Sequence, residues 1–498
     1  MKLSKKLFIQ YGLLIIFALS ITYNNAVGQI SQAKFDSVLS VVTYQYTKMI
    51  EQVVDTTKYP KSLSSKGNLT LVTSYDWTSG FFPGTLWYLY EITGDTYWKD
   101  NASKWTARIE NEKNRTDSHD LGFMFYCSFG NGYRLTGKEE YKNILLTAAS
   151  SLSTRYSPVV GCMDSWDWGE WASKFVVIID NMMNLEFLYW AASATGDSSY
   201  YRMAKNHAAT TQINHFRPNY SSYHLVEYNP STGQPTNKRT YQGYSDESSW
   251  ARGQSWGLYG YVMSYRKTQD TAFLHQAENI ANYLLNHPRL PADMVPYWDY
   301  DAPNIPNEQK DASAGAIMCS ALFELSKYSS QGETYKNKAI QILQSLMSPS
   351  YLNAKDAKKY FILDHAVGFR PANTEVNVPL IYADYYFIES LLRYKQLVLT
   401  DVKTPTVTIT PVSFELSQNY PNPFNPSTVI SYQLSVNSHV KLSIYNVLGM
   451  EVKTLVNEEK SVGSYEVRFD ANGLSSGVYF YKIQAGEFMQ SKKMLLTK

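Results

Sequence analysis

A unit of two unlike helical stretches joined by a short turn recurs between residues 70 and 400, and it constrains the fold more than any other feature. The stretch before each turn is apolar nearly all round, as in "GFFPGTLWYLYEI". The stretch after it is charged on one face, as in "TYWKDNASKWTARIE". A helix that is apolar on every side is buried, whereas a one-sided helix lies at the surface. The pattern therefore predicts helical hairpins, each with one inner and one outer helix.

The turns of these hairpins share a sequence signature. They read "TGD" or "TGK" at residues 93–95, 136–138 and 195–197, "TQD" at 268–270, and a degenerate form near Tyr328. Their unequal spacing argues against an open solenoid of identical repeats. The stretches before these five turns, together with the later stretch "YADYYFIESLLRYKQL", give six inner helices. Six inner and six outer helices, in alternation, close into an all-α (α/α)6 barrel. Glycines inside one inner stretch, such as Gly253 and Gly260, are expected at close helix contacts, because glycine costs about 1 kcal/mol against alanine in a helix.

Segments of different composition flank this helical region. Residues 1–28 have the lysines, apolar run and small residues of a secretory signal peptide. We expect the barrel over 29–400, followed by a Thr- and Pro-rich linker at 401–413 that cannot continue the helices. Alternating apolar and polar residues then predict a small β-sandwich over 414–498.

Composition excludes several classes of function. The net charge of +2 gives no basic footprint for nucleic acid. No phosphate-binding glycine loop, nucleophile elbow or zinc-protease motif is present. The three cysteines have no zinc-ligand spacing and are expected to be buried thiols (Cys127, Cys162 and Cys319). No metal or cofactor is predicted. The aromatic content of 15% suits a large core or a surface that stacks on sugar rings.

Two aspartates precede or begin inner stretches, and both are candidates for catalysis. Asp120 follows His119 in "SHDLGFMFYC", and Asp180 follows an apolar run in "FVVIIDNMMNLEF". Either carboxylate could simply cap a helix N-terminus. Alternatively, poor solvation would raise the carboxyl pKa towards the range of a general acid. A ring of inner helices would direct both carboxyl groups into one central cavity.

Polar and aromatic residues around "QGYSDESSWARGQSW" form a second candidate cluster. Arg252 and Trp256 are four residues apart and share one helix face. Arg252 could bind a carboxylate, or it could form an ion pair with Asp246 or Glu247. Further candidates on loops that lead into inner stretches are Trp77, Trp166 with its neighbour Trp168, and His224.

Five motifs, in order along the chain, resemble those of one family. They are "DWTSGFFPGTLWYLYEITGD", "HDLGFMFYCSFGNGYRLTG", "IIDNMMNLEFLYWA", "SSYHLVEYNPSTG" and "QGYSDESSWARGQSWGLYGY". Over about residues 35–397 the chain resembles the unsaturated glucuronyl hydrolases, glycoside hydrolase family 88. The resemblance implies an (α/α)6 barrel. It also implies removal of a 4,5-unsaturated glucuronic acid from the non-reducing end of lyase-generated oligosaccharides, by hydration of the C4=C5 enol ether.

The resemblance also implies roles for individual residues. Asp180 matches the general acid/base, which protonates C4 and helps water add at C5, and Asp120 matches a second essential carboxylate that hydrogen-bonds the sugar. The positions that match substrate contacts are Trp77, His119, Trp166, His224, Gln242, Arg252 and Trp256. Trp168 is an adjacent alternative to Trp166.

One loop departs from the family pattern. Some relatives that prefer sulfated chondroitin or hyaluronan disaccharides carry a loop with Ser and Lys near the end of the barrel. This chain instead reads "HAVGFRPANTEVNVPL" over His365–Leu380. Arg370 or Asn373 could act in its place, and the substrate could equally be a heparin- or ulvan-type fragment.

Residues 414–498 resemble the C-terminal sorting domain of the type IX secretion route, through "YPNPFNPST", "YNVLGMEVKTL" and "GLSSGVYFYKI". This implies interaction with the type IX machinery and a secreted or cell-surface location in a Gram-negative bacterium.

Two alternatives stay open for the barrel. One is an unsaturated rhamnogalacturonyl hydrolase, against which the "HDLGF" motif and the Arg252/Trp256 pair argue. The other is a non-catalytic surface glycan-binding protein.

Overall fold

Helices alternate between buried and surface positions in the first part of the chain. The computed structural model describes residues 28–399 and 414–497 apart from 420, 435 and 487, and the predicted linker and nearly all of the signal peptide lie outside them. The outer helices are α1 (Gln32–Gln52), α3 (Thr96–Ile109), α5 (Glu139–Ser153), α7 (Ser198–Asn214), α9 (Thr271–Leu285) and α11 (Gly332–Leu346). The inner helices are α2 (Phe81–Thr93), α4 (Asn131–Thr136), α6 (Leu185–Thr195), α8 (Ala251–Thr268), α10 (Ala312–Leu325) and α12 (Ile381–Tyr394).

The inner helices form a closed ring. Each packs against the next in chain order, α4 through the helical turns that precede it, and α12 returns to pack against α2. The outer helix α1 lies across this closure, where Phe35 stacks on Tyr394 of α12 and Tyr46 stacks on Phe82 of α2. The predicted (α/α)6 barrel is thereby confirmed. Its core consists of the apolar side chains of the inner helices and the inward faces of the outer ones.

The "TGD" turns end one helix and begin the next. Gly94 and Gly196 have φ of 72° and 77°, in the left-handed region that glycine adopts without a steric penalty. The aspartate that follows, Asp95 or Asp197, accepts the backbone N–H two residues later and caps the outer helix. In the "TQD" turn Gln269 takes the same conformation, with φ of 57°.

Two inner helices begin with irregular turns. A π-helix over Gly122–Gly130 runs directly into α4, and a 3₁₀ helix over Ile179–Asn184 runs into α6. The expected close contact at Gly260 is confirmed, because a Cβ added there would lie 2.5 Å from Cβ of Met182. Irregular helical turns are frequent at functional sites, because they re-aim side chains that a regular helix would place elsewhere.

Short strands, which the sequence pattern does not predict, occur in the loops of the barrel. They are β1 (Tyr59–Leu63), β2 (Leu69–Val72), β3 (Tyr156–Ser157), β4 (Cys162–Met163), β5 (Phe175–Ile178), β6 (Leu225–Tyr228), β7 (Pro235–Arg239), β8 (Ala366–Phe369) and β9 (Thr374–Val378). All pair antiparallel, β5–β6–β7 as one sheet and the others as hairpins. With five residues at most, each is too short to show an alternating pattern.

The second part of the chain folds as two facing sheets around its own apolar core. One sheet has the order β10–β11–β14 and the other β13–β12–β15–β16. The strands are β10 (Glu415–Leu416), β11 (Ser427–Leu434), β12 (Ser438–Tyr445), β13 (Glu451–Lys460), β14 (Gly463–Asp470), β15 (Gly477–Ala485) and β16 (Phe488–Leu496). The sequence pattern does not reveal β13, because this edge strand buries only Val456.

The expected thiols are confirmed, since all three cysteines are buried and unpaired. Among the described residues, no helix has both the length and the apolarity needed to cross a membrane.

Candidate active site

The inner helices all begin at the same end of the barrel, because each outer helix returns the chain to that end. Side chains at these beginnings therefore converge on one mouth. They are Trp77 ahead of α2, Asp120 ahead of the π-helix, Asp180 in the 3₁₀ helix ahead of α6, Arg252 in α8, Asp311 ahead of α10 and Tyr382 in α12. Helix N-termini carry partial positive charge, so this end of the barrel favours an anionic ligand.

Asp180 has a carboxyl group that is largely withdrawn from water. Its side chain is 13% exposed, and its Oδ2 is enclosed without a hydrogen-bond partner. Burial raises the pKa of Asp180 to about 7, and the nearby charge of Asp120 adds to this, while Arg252 and the indole of Trp256 oppose it. Asp180 can therefore exist as an acid or as a base near neutral pH, as proton transfer to and from a substrate requires.

His224 lies beside Asp180, with Nε2 at 3.7 Å from Oδ2. Its Nδ1 accepts the backbone N–H groups of Tyr241 at 2.9 Å and Gln242 at 3.3 Å. Burial lowers the pKa of His224 to about 3, so the ring is neutral at ordinary pH. The strand β6 begins at the next residue and holds the ring over Asp180.

His119 and Asp120 form a second buried pair. Nδ1 of His119 lies 2.8 Å from the carbonyl oxygen of Ser165, and Nε2 lies 3.2 Å from Oδ1 of Asp120. Burial lowers the pKa of His119 to about 3. Burial also raises the pKa of Asp120 to about 7, an effect that Asp76 reinforces. The site thus contains two carboxyl groups with raised pKa values, each next to a neutral histidine.

Neither Asp120 nor Asp180 caps a helix N-terminus, which was the alternative role that the sequence left open. Neither the π-helix nor the 3₁₀ helix receives a side-chain cap. Near Asp120, it is the hydroxyl of Ser118 that accepts the N–H of Asp120, at 3.1 Å. Both carboxyl groups are therefore available to the cavity.

Asn184 positions the Asp120 segment, although the sequence pattern did not single it out. Its Oδ1 accepts the N–H of Phe123 at 2.9 Å, and its side chain helps to lower the pKa of Asp120, against the larger effect of burial. The two segments meet so closely that a Cβ at Gly122 would lie 2.5 Å from Oδ1 of Asn184. A signal was present in the sequence, because Asn184 stands four residues after Asp180.

Arg252 is buried and does not pair with Asp246 or Glu247, the partners that the sequence offered. It lies 3.4 Å from Asp311, and it donates to the carbonyl oxygens of Val367 and Gly368 in β8. Burial opposes the charge of Arg252, but the neighbouring Asp311 and Asp180 help to raise its pKa. Arg252 therefore supplies a permanent positive charge to the cavity and fastens the β8–β9 hairpin to the barrel. In turn, Glu247 pairs with Arg217 at 3.4 Å.

The predicted tryptophans divide into exposed and enclosed rings. Trp77 is half-buried against Phe123 and Tyr382. Trp256 is fully buried between Phe123 and Tyr386, so its ring faces have no free surface for a sugar. The resemblance implied a substrate contact for Trp256, whereas the structure encloses its ring beside Asp180.

Trp166, rather than Trp168, lies against the catalytic end of the barrel. Its ring meets that of His224 at 5.9 Å between centroids, in an edge-to-face arrangement. Trp168 stands further out, 48% exposed, and packs on Trp166 and Tyr241. The structure thus favours Trp166 of the two sequence candidates.

A cavity of about 300 Å³ adjoins the site on the side of the β8–β9 hairpin. It is lined by Lys61, Trp77, Gln242, Arg252, Gly368, Phe369, Thr374, Glu375 and Tyr382. Lys61 bridges Asp76 at 3.1 Å and Glu375 at 3.7 Å, and so joins the hairpins β1–β2 and β8–β9. Arg370, a sequence candidate for sulfate binding, lies in the β8–β9 turn at 4.0 Å from Glu308, and Asn373 ends that turn with φ of 53°.

Two further aspartates shape the site without having been predicted. Asp311 caps α10 by accepting the N–H and hydroxyl of Ser313, and it also faces Arg252. Asp299 accepts the N–H of Tyr244 and the hydroxyl of Ser248, and so folds the loop that carries Gln242. Neither stands in an unusual sequence context, so only the tertiary contacts identify them. Within the described residues, no three His, Cys, Asp or Glu side chains are grouped in a way that could hold a metal ion.

Comparisons with known proteins agree with this arrangement. The model of Glycosyl Hydrolase Family 88 matches residues 49–359, and that of the secretion system C-terminal sorting domain matches residues 418–497. An unsaturated glucuronyl hydrolase of Formosa agariphila is 43% identical over 357 residues, which cover 71% of this chain and 89% of that protein. An unsaturated chondroitin disaccharide hydrolase of Streptococcus agalactiae is 34% identical, over 68% of this chain and 86% of that protein.

Solved structures extend the likeness to three dimensions. The crystal structure of an unsaturated glucuronyl hydrolase specific for heparin superposes with a TM-score of 0.73 at 43% identity, covering 75% of this chain and all of that one. The unsaturated glucuronyl hydrolase of Bacillus sp. GL1 gives 0.69 at 27% identity, covering 73% of this chain and 97% of that one. The chain therefore belongs to glycoside hydrolase family 88, as a glycosidase with an (α/α)6 barrel and a secretion-system C-terminal sorting domain.

Proposed function

We propose that this enzyme removes a 4,5-unsaturated glucuronic acid from the non-reducing end of oligosaccharides that a polysaccharide lyase has produced. The observation that carries the proposal is the pair of buried carboxyl groups, Asp120 and Asp180, whose pKa values are both raised to about 7 at one end of the barrel. A carboxyl group that titrates near neutral pH can both give and take a proton in one catalytic cycle.

In the proposed reaction, Asp180 gives its proton to C4 of the unsaturated sugar. The C4=C5 π electrons form the new C–H bond, and the positive charge that develops at C5 is shared with the ring oxygen. A water molecule then bonds to C5 and returns a proton to Asp180. The resulting hemiketal opens and releases the saccharide. Because the glycosidic bond is not displaced directly, the carboxylate spacing rule for retaining and inverting glycosidases does not apply.

The remaining side chains support binding of an acidic sugar. Arg252 and the helix N-termini offer positive charge to the uronate carboxylate, since a buried guanidinium binds carboxylates well. The carboxyl group of Asp120, whose side chain is 17% exposed, accepts a sugar hydroxyl. Trp77 is half-buried at the rim and suits an apolar sugar face.

The proposed role of Asp180 is tested by Asp180→Asn. The amide keeps the shape of the carboxyl but cannot give or take the proton, so we expect kcat to fall about 10²–10⁴-fold. The assay follows the ultraviolet absorbance of the conjugated unsaturated uronate, which disappears on hydration. Asp100→Asn is a matched control, because Asp100 is exposed on the outer helix α3, away from the site. Full activity of Asp180→Asn, with unchanged melting temperature, would show that the role is wrong.

A panel of disaccharides identifies the saccharide that is released. The relatives include a hydrolase named for chondroitin disaccharides and a structure described as specific for heparin. We therefore propose unsaturated disaccharides from chondroitin, hyaluronan, heparin and ulvan as test substrates, ranked by kcat/KM. Absence of turnover on all four, with binding retained, would favour a glycan-binding role instead.

We also propose that the protein is exported in two stages from a Gram-negative cell. Residues 1–28 would direct passage across the inner membrane, and the sorting domain would direct passage across the outer membrane through the type IX machinery. The match of residues 418–497 to a secretion-system sorting domain supports the second stage. Fractionation of cells that express the full chain tests it, and retention of the enzyme in the cytoplasm would contradict it.

A further inference from the structure

The two buried histidines both place Nε2 beside a carboxyl group, but Nε2 is in a different protonation state in each ring. Nδ1 of His119 faces the carbonyl oxygen of Ser165 at 2.8 Å, so Nδ1 carries the ring proton and Nε2 carries a lone pair. Nδ1 of His224 instead accepts the N–H groups of Tyr241 and Gln242, so here Nε2 carries the proton. Contacts with the backbone therefore hold the two neutral rings as opposite tautomers.

We propose that these opposite tautomers decide which of the two carboxyl groups can release a proton into the cavity. Nε2 of His119, which carries the lone pair, lies 3.2 Å from Oδ1 of Asp120 without a hydrogen bond to it, so its partial negative charge favours retention of a proton on Asp120. The N–H of His224 lies 3.7 Å from Oδ2 of Asp180, also without a hydrogen bond, so its partial positive charge favours the ionised carboxylate and release of the proton. His119 and His224 are thus positioning residues that give two similar carboxyl groups different roles.

The accessible surface of the carboxyl groups agrees with this division. Oδ2 of Asp180 is enclosed, yet the side chain keeps 13% of its surface exposed, which leaves Oδ1 as the oxygen that can meet a substrate. Asp120 keeps 17% exposure, so its carboxyl group also reaches the cavity. The assignment of Asp180 as the acid rests on the proposed function, whereas the tautomers do not depend on it.

The charged groups around the two histidine–aspartate pairs do not change which nitrogen of each histidine is protonated. Asp180 is influenced by Arg252 and by Asp120, and Asp120 is influenced by Asp76, Arg115 and Arg155. His119 is further influenced by Arg155 and Asp167, and His224 by Arg252 and His215. The nearest cations oppose protonation of both rings, so each stays neutral and keeps the tautomer that its backbone partner selects.

Nitrogen-15 NMR of the full chain labelled at histidine reads the tautomers directly. We expect His119 to show an unprotonated Nε2 and His224 an unprotonated Nδ1 at neutral pH. The variants His119→Gln and His224→Gln assign the signals, because each removes one set. His207 and His215 serve as internal references, since the Met163 N–H and the Val177 carbonyl hold both rings in the tautomer protonated at Nε2, away from the carboxyl groups. Equal tautomers at His119 and His224, or a doubly protonated ring, would overturn the proposal.

The pH dependence of kcat/KM tests the effect on Asp180. His224→Gln keeps an N–H donor near Oδ2, whereas His224→Met removes it. Without the donor the carboxylate is less stabilised, so the pKa of Asp180 rises. We expect the alkaline limb of the kcat/KM profile to move to higher pH by roughly half a unit in His224→Met. In His224→Gln we expect that limb to stay in place.

Each result of the pH experiment decides for or against the proposal. Equal loss of activity in both variants with no movement of the limb would mean that His224 has only a structural role. The NMR result stands apart from activity. If the wild-type chain turned over no unsaturated substrate yet showed opposite tautomers, the proposed function would fail and the histidine assignment would stand.

Discussion

At Asp180, burial affects the pKa of the carboxyl group more strongly than the neighbouring positive charge does. The guanidinium of Arg252 favours the charged carboxylate, yet burial dominates and raises the pKa to about 7. Asp120 is subject to the same balance, with Arg115 and Arg155 on the stabilising side. Because the two carboxyl groups interact, protons leave them in two steps that belong to the pair rather than to one residue.

The titration of this pair predicts how activity depends on pH. In its proposed role as the acid, Asp180 must be protonated, so we expect kcat/KM to decline as pH rises through about 7, the pKa of its carboxyl group. A pH profile of the wild-type enzyme on an unsaturated disaccharide measures this decline. Activity that stayed constant from about pH 6 to about pH 9 would contradict it, because an essential acid loses its proton within that range.

Some of these residues could be predicted from the sequence and others could not, because only some of them stand in an unusual local sequence. Asp120 and Asp180 are visible because a charge next to an apolar run is unusual at any position. Asn184 and Asp311 are ordinary in their local sequence, and they matter only through partners on other helices. The burial of Trp256 likewise depends on packing against residues distant in the chain.

At the scale of elements, the irregular starts of two inner helices bring the carboxyl groups together. The π-helix Gly122–Gly130 and the 3₁₀ helix Ile179–Asn184 touch at Gly122, where only a hydrogen fits beside Asn184. This contact sets the separation between the segment that carries Asp120 and the one that carries Asp180.

The variant Gly122→Ala tests that contact. The added methyl group would lie 2.5 Å from Oδ1 of Asn184, so we expect a destabilisation of about 1–3 kcal/mol from overpacking and a fall in kcat/KM. Melting temperature and steady-state kinetics measure the two effects. Gly315→Ala is the matched control in another inner helix, because its methyl group would meet only side-chain carbons, the nearest at 3.3 Å on Val295. Equal behaviour of the two variants would count against a special role for Gly122.

The β8–β9 hairpin depends on the cation of Arg252 for its attachment to the barrel. Arg252 reaches the carbonyl oxygens of Val367 and Gly368 while it faces Asp311. The fork of a guanidinium can serve all three acceptors, whereas a lysine ammonium is a point charge that cannot.

We therefore expect Arg252→Lys to loosen the hairpin and to lower kcat/KM. Breaking a buried ion pair costs about 3–5 kcal/mol when one partner is lost, and a retained charge should reduce that cost. Hydrogen exchange over residues 366–378 measures the loosening. Arg239→Lys is the control, because Arg239 is 25% exposed on β7 and pairs with Glu170. Unchanged exchange in Arg252→Lys would refute the anchoring role.

At the scale of the whole molecule, the described residues contain two smaller apolar clusters in the barrel unit and two large, separate hydrophobic cores. One belongs to the barrel and the other to the β-sandwich, and they share no residue. The chain divides into the same two compact units. Each unit can therefore be expected to fold around its own core.

Removal of residues 414–498 tests this independence. We expect the shortened chain to keep its melting temperature and to retain kcat/KM within about a factor of two, because the active site draws only on the barrel. In a host with the type IX machinery, the same chain should remain unexported. Loss of activity on truncation would show that the sandwich contributes to the catalytic unit.

Local periodicity and backbone preference were enough to predict the alternation of buried and surface helices, the glycine and aspartate turns between them and the strands of the sandwich, except the exposed edge. Packing in three dimensions was needed to establish that Arg252 pairs with Asp311, that Trp256 is enclosed, and that two histidines approach two carboxyl groups through Nε2 in opposite protonation states. Such contacts join segments far apart in the chain, so they depend on how the helices pack and leave no periodic trace in the sequence.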